Sequence, residues 1–338
     1  MKKLLTLILA GALCLSLGSC KKSEPSQSSS NSSSGGGDTP AYHIAAVLPK
    51  SDVYAAQIVA GGQAAVKAAG LNVTFEYLYT GSSSETELLS GLDTTAYQAV
   101  LAYPMGGEAS IAELSRLQAK GLPVAVVGAP ITKNDFAVGV FCSDQYKLGE
   151  AAGVQAKKYI DAKLKGKAGI AVLEHNAKNL TESTLRLNGF LDQIKDSKDV
   201  SLVSDMEAAT PEEMAEQLAA YFKEKGDNAA DIIYCTNADA TVAAHNAIVK
   251  AGRKGKTAVL GVEADKAVTD ILKSSDSTVE AVAAQDFWQM GYDAVSTLMD
   301  AVQNSSDSAG STEVLEPVVL TQGDSAGLDE YIRKITEK

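Results

Sequence analysis

The polar residues of this chain gather at a repeated place, directly behind short apolar runs. Glu174-His175-Asn176 follows Gly169–Leu173, and Thr236-Asn237-Ala238-Asp239 comes just after Ile232–Tyr234. Glu263-Ala264-Asp265 follows Val259–Val262, and Gln285-Asp286-Phe287-Trp288 comes just after Val279–Ala283. Asp205–Ala208 stands behind Val200–Val203. Nearer the N-terminus the corresponding stretches are Pro49-Lys50-Ser51-Asp52, Thr80-Gly81, Tyr103-Pro104-Met105-Gly106 and Gly128-Ala129-Pro130. Carboxylates accept hydrogen bonds, amides donate and accept, and aromatic rings offer an apolar face. That mixture suits the holding of a neutral polyhydroxyl compound or another small polar solute.

The groups that catalysis would need are sparse. The chain has three histidines, His43, His175 and His245. His43 opens an apolar run and His245 sits in a helical stretch, so both read as structural. His175 stands at a strand end, where it either meets a ligand or is solvated. No serine lies in a G-x-S-x-G elbow and no cluster has metal-ligand spacing. Gly61-Gly62 falls inside a helical stretch, so it is not a phosphate loop. The expectation is a protein that is not an enzyme and has no cofactor.

The elements that carry these residues alternate strictly. Short β-branched runs are followed by longer stretches of helical period. The runs begin at Ile44, Val73, Ala99, Val124, Val138, Gly169, Val200, Ile232, Val259 and Val279. Continuously apolar strands between helices mean parallel sheet covered on both faces. Ten such runs overshoot a closed eight-stranded barrel, so two doubly wound lobes are expected. Ligands of such sheets sit at the carboxyl ends of the strands.

The N-terminal segment has its own logic. Met1-Lys2-Lys3 is basic and Leu4–Leu17 is apolar and uncharged. A bilayer span needs roughly 20 apolar residues, so this run has the length of a signal-peptide core instead. It ends in Leu17-Gly18-Ser19-Cys20, small residues before a cysteine, which predicts lipidation of Cys20 after removal of residues 1–19. The serine- and glycine-rich stretch within 20–40 is expected to be a disordered tether reaching about 25 Å. Losing Lys2 and Lys3 makes a formal charge of −12 more negative by two. That excess argues against nucleic acid and against adhesion to anionic lipid. Cys142 and Cys235 then remain, either as a disulfide or as two buried thiols on strands.

Taken in order and spacing, several segments resemble the ribose/galactose type of periplasmic solute-binding protein, from about Tyr42 to about Thr321. They are Ile44–Leu48, Gly61-Gly62, Gly121-Leu122-Pro123-Val124, Ser143-Asp144 and Gly149–Gly153. Further along come Arg186–Phe190, Cys235–Asp239, Leu260–Glu263 and Ala284-Gln285. The resemblance implies a type I periplasmic-binding-protein fold, α/β, with two lobes joined by three crossings. The crossings are expected near Cys142-Ser143, near Gln285-Asp286 and after the helix ending around Gln303. The first lobe would comprise 41–142 and 286–305, and the second 143–285 and 306–338.

By the same resemblance, Arg186, Asn237, Glu263 and Gln285 match ligand-binding positions. Arg186 offers a rigid fork of donors, or else lies on a helix surface. Asn237 either binds ligand or caps a helix. Glu263 stands where the family usually has Asp, and either accepts solute hydroxyls or pairs with Arg186. Asp144 matches a hinge acid and reads as a helix cap. Two departures stand out. Ala55 and Ala56 replace family aromatics, and Gly128-Ala129-Pro130 replaces an Asp-Arg pair. Either Asp52, Tyr54, Tyr103 and Trp288 take over, or the ligand is not a simple pyranose or furanose. The implied function is an extracytoplasmic receptor, lipid-anchored at the cell membrane, that captures a sugar or sugar-like solute. It would deliver that solute to an ABC transporter permease, acting as a monomer. The alternative is a sensing lipoprotein that presents a nucleoside, polyol or amino-acid-like solute to a membrane sensor.

Overall fold

Two six-stranded sheets organise the chain, each buried on both faces between helices. The computed structural model describes residues 41–50, 53–81, 83–128, 130–175, 180–304 and 310–336. The proposed signal peptide, Cys20, the tether and Asp52 lie outside these residues. The first half of the chain gives β1 (Ala41–Leu48), α1 (Val53–Ala69), β2 (Asn72–Tyr79), α2 (Glu85–Ser90), β3 (Ala99–Ala102), α3 (Glu108–Ala119), β4 (Val124–Gly128) and β5 (Gly139–Ser143). Next come α4 (Gln145–Lys163), β6 (Lys167–His175), α5 (Leu180–Ile194), β7 (Asp199–Ala208), α6 (Pro211–Lys225), β8 (Ile232–Cys235) and α7 (Ala238–Lys250). The remainder is β9 (Ala258–Val262), α8 (Lys266–Lys273), β10 (Val279–Ala284), α9 (Phe287–Asn304), β11 (Ser311–Leu315), β12 (Val318–Thr321) and α10 (Ser325–Thr336).

The first sheet runs β11-β5-β4-β3-β1-β2 and is parallel throughout. The second runs β12-β10-β9-β8-β6-β7, with only β12 antiparallel. Both lobes are therefore doubly wound, as the uninterrupted apolar strands predict. Ile44 to Leu48 and Val124 to Val127 are wholly buried because helices cover both faces of their sheet.

The chain passes between lobes at Ser143-Asp144, at Gln285-Asp286 and at Glu316-Pro317. The last of these corrects the sequence reading for residues 311–315, which it places with the second lobe. β11 instead pairs in parallel with β5 at the edge of the first sheet. Ser-Thr-Glu-Val-Leu is short, mostly exposed and polar, so it carries no apolar signal; the pairing alone makes it a strand. β12, Val-Val-Leu-Thr, is a four-residue edge strand.

Two helix pairs cross closely enough to need glycine. A Cβ on Gly61 of α1 would strike the Trp288 carbonyl of α9, and one on Gly291 would strike the backbone of Ile58. In the second lobe a Cβ on Gly149 of α4 would collide with the backbone of Arg186 on α5, and one on Gly189 with that of Tyr146. The second crossing seats Arg186. Cys142 and Cys235 are buried free thiols on β5 and β8, in different lobes. Burial pushes the Cys142 thiol up to about 11 and the Cys235 thiol further still, so neither is poised to react.

Candidate functional site

Strand ends of the second sheet meet at one cavity of about 200 Å³, lined by His175, Glu182, Ser183, Arg186, Thr236, Asn237 and Glu263. It has room for about six waters at ~30 Å³ each, the scale of a single small solute. β6 delivers His175, β8 delivers Thr236 and Asn237, β9 delivers Glu263, and α5 delivers Glu182, Ser183 and Arg186.

Arg186 is the centre of the arrangement and is only 4% exposed. Its Nε donates to Gln145 Oε1 at 2.8 Å, and its Nη1 donates to the Thr236 carbonyl at 2.8 Å and to Glu263 Oε1 at 2.6 Å. Glu182 Oε2 lies 3.8 Å from Nη2. Burial works against the charge of the guanidinium, but the Glu263 and Glu182 carboxylates outweigh it and hold the group above its ordinary value. Arg186 is thus a buried, oriented cation and not a surface arginine. Behind it, Tyr234 donates to the Arg186 carbonyl at 3.1 Å and stacks on Phe190 with centroids 3.8 Å apart.

Glu263 sits at the end of β9 with φ of 68°. Left-handed backbone is uncommon for a residue with a side chain and costs about 1–3 kcal/mol. From that backbone its Oε1 accepts from Arg186 Nη1. Its Oε2 also accepts from the Tyr54 hydroxyl at 3.2 Å and from Ala238 N at 3.4 Å. Tyr54 belongs to α1 of the first lobe, so this bond bridges the lobes. Burial, then the Glu263 charge, raise the Tyr54 phenol well above its ordinary value, which keeps it a donor.

Asn237 caps α7, its side chain accepting from Ala240 N at 2.9 Å. It lines the cavity at the same time, so capping fixes the orientation that its amide presents. Gln285 is 6% exposed at the second crossing; its Oε1 accepts from Gln145 Nε2 at 3.5 Å. Gln145 therefore links Gln285 to Arg186, a contact that the sequence reading missed. The signal for it was present, since Gln145 directly follows the hinge acid Asp144, which caps α4 through Tyr146 N and Lys147 N. Ser183 was also missed, whereas Thr236 falls in the polar stretch behind β8 that the sequence singles out. Ser183 Oγ bonds Glu174 Oε2 and Thr236 Oγ1, each at 3.0 Å, and Thr236 Oγ1 accepts from His175 N at 2.9 Å.

Tyr103 stands at the end of β3, outside the Arg186 cavity lining. Its ring lies directly over Gly128, where φ is 98° and a Cβ would strike the ring. Ala55 is buried in the first turn of α1 and Ala56 is exposed. Trp288 stacks on Tyr292 with centroids 5.4 Å apart and lies under Lys334 Nζ at 5.1 Å. It lines a separate cavity with Tyr292 and Arg333, which shares no residue with that of Arg186. Asp205–Ala208 form the last part of β7, not a loop behind it. Among the described residues no group of His, Cys, Asp and Glu could hold a metal, and no helix is long and apolar enough to cross a membrane.

The strand ends of this two-lobed, doubly wound chain hold a buried cation beside an acid in left-handed backbone. The chain belongs to the family described as periplasmic binding protein domain, whose model matches residues 44–306. It is a binding protein of the extracytoplasmic type, not an enzyme. It is 21% identical over 246 residues to the D-allose-binding periplasmic protein of Escherichia coli, covering 71% of this chain and 78% of that one. It is 18% identical over 250 residues to the D-apiose import binding protein of Actinobacillus succinogenes, covering 74% and 78%. In structure it is similar to a glucose-galactose binding protein from Geobacillus stearothermophilus, with TM-score 0.66, 21% identity, and 85% and 99% of the chains covered.

Proposed function

We propose that the chain captures a sugar or sugar-like solute between its lobes and hands it to the permease of an ABC importer. The observation that carries this reading is the Arg186 cavity. A buried guanidinium, a capping amide and a carboxylate converge there, the donors and acceptors that a ring of hydroxyls requires. The names of the relatives, which concern allose, apiose and glucose or galactose, point to the same class. In this reading Arg186, Asn237, Glu263 and Gln285 form the second-lobe wall and hinge side of the site, with Tyr54 and Tyr103 contributed by the first lobe; Asp52, expected to join them, lies outside the described residues. Cys20 carries the lipid that holds a monomeric receptor to the outer surface of the membrane.

The test is a thermal-shift screen of residues 41–338 against pentoses, hexoses, polyols, nucleosides and amino acids. A solute at a thousand times its dissociation constant adds about 4 kcal/mol to the folded state, an easily read shift. A response confined to sugars or polyols is expected. A response confined to nucleosides or amino acids would replace sugar with that class. Mass spectrometry of the membrane-extracted protein should show acylation at Cys20, and Cys20→Ser should release the chain.

A further inference from the structure

Tyr54 and Glu263 stand on different lobes, yet their side chains meet. The phenol reaches Glu263 Oε2 at 3.2 Å while Glu263 Oε1 is held by Arg186 at 2.6 Å. Three side chains from α1, the end of β9 and α5 thus form one line between the lobes. Tyr54 is itself fixed, with its ring against Phe287 at a centroid distance of 4.9 Å. Phe287 begins α9, the first element after the second crossing, so the line ends on a residue anchored beside the hinge. Glu263 keeps its left-handed backbone while joining both partners. An aspartate at this position would be one methylene shorter and could not span the same gap from the same backbone.

We propose that Tyr54 is a positioning residue that acts through Glu263 on Arg186, a latch that holds a share of the molecules closed in the absence of solute. This rests on the Arg186 cavity being the solute site. The latch ties the angle between the lobes to the orientation of the guanidinium. Solute enters through the unlatched share, so apparent on-rate scales with that share. On this account the phenol's bond to Glu263 is exchanged for solute contacts on capture, and the glutamate is required for its length as well as its charge.

The experiment places a pair of distance labels at exposed Lys120 and Lys250, one on each lobe, in the protein freed of solute by unfolding and refolding. The wild type should show a closed and an open population. Tyr54→Phe removes one hydrogen bond and should lower the closed-to-open ratio about tenfold. Glu263→Asp, which keeps the charge beside Arg186, should lower it to a similar degree. Both variants should show a raised solute on-rate with the solute found by the thermal screen. Distance distributions that are the same in wild type and in whichever of the two variants folds would overturn the latch. The distances are read without solute, so that failure is distinct from failure of the sugar reading, which the screen decides.

Discussion

The two lobes share a fold and differ in what they place at their strand ends. The second lobe presents a connected polar wall, running from Glu174 through Ser183 and Thr236 and from Gln285 through Gln145 to Arg186 and Glu263. Among the described residues the first lobe places two tyrosines there, Tyr54 and Tyr103. Tyr54 is packed on Phe287 and Tyr103 lies over the bare backbone of Gly128. One lobe therefore supplies directional hydrogen bonds from preset groups, and the other supplies flat apolar faces with a hydroxyl at the tip. On the proposed reading, the second lobe would orient the solute and the first would cover it. The gap left by Gly128-Ala129-Pro130 is accounted for at Gly128, where the Tyr103 ring occupies the space that a side chain would need.

The comparison sharpens most at arginine, because the second lobe buries two. Arg253 is 7% exposed, and it donates to the Gly226 and Ala229 carbonyls and to Thr257 Oγ1. It has no carboxylate among those partners and lines none of the cavities described. Arg186→Ala strips a buried cation from Glu263 and from Glu182, leaving carboxylates uncompensated. Such a loss costs about 3–5 kcal/mol. It should lower stability by that order in chemical denaturation and abolish solute binding in calorimetry. Arg253→Ala leaves carbonyls unsatisfied, at about 1–3 kcal/mol, and should leave solute affinity within twofold of wild type. Equal effects of the two on affinity would remove Arg186 from the site.

A second test moves the wall without touching it. Gly149 lets α4 lie against the backbone of Arg186, and Gly61 plays the same part between α1 and α9. Gly149→Ala must push α5 away, at about 1–3 kcal/mol of overpacking. It should also displace the guanidinium and weaken solute binding by about tenfold, since a site group held loosely by its support loses its geometry. Gly61→Ala should cost similar stability. Its effect on affinity should be smaller, because the apolar face it displaces is less directional than a guanidinium. Affinity losses in the reverse order would place the orienting contacts in the first lobe.

Much of this was legible before any coordinates. Strand runs such as Ile44–Leu48 and Val259–Val262 are buried on both faces, so their apolar continuity declares parallel sheet without help from context. Arg186, Asn237 and Glu263 converge because strand ends of a doubly wound sheet converge, and the helix that follows β6 faces the same edge. What remained hidden depends on tertiary pairing. β11 is Ser-Thr-Glu-Val-Leu, a strand only because β5 offers an edge. Gln145 is one polar residue among many at a helix start, and only the fold brings it to Arg186. The sequence left open whether Glu263 would serve solute or Arg186; the structure shows the arginine pairing, with Tyr54 added from the other lobe.

The smallest effect concerns pH and again divides the lobes. At the second lobe's strand ends Glu174, Asp205 and Asp239 are all held above the ordinary carboxylate range. Burial is the main cause in each. For Glu174 the Ser183 hydrogen bond opposes the shift while Asp205 and Glu207 add to it; Glu207 adds to that of Asp205, and for Asp239 His175 opposes while Asp265 and Glu263 add. A carboxyl raised in the folded state binds more protons there than in the unfolded chain. Stability then falls as pH rises from the ordinary carboxylate value through the raised one, and the penalty stays in place above it. Glu174→Gln removes one such charge and keeps an acceptor for Ser183. It should flatten the fall in melting temperature through the weakly acidic range and raise stability slightly at neutral pH. Below the ordinary carboxylate range, where wild-type Glu174 is already protonated, the two proteins should melt together. A variant that lost stability at neutral pH would show instead that the Glu174 charge is needed to hold Ser183, and through it Thr236, in the wall beside Arg186.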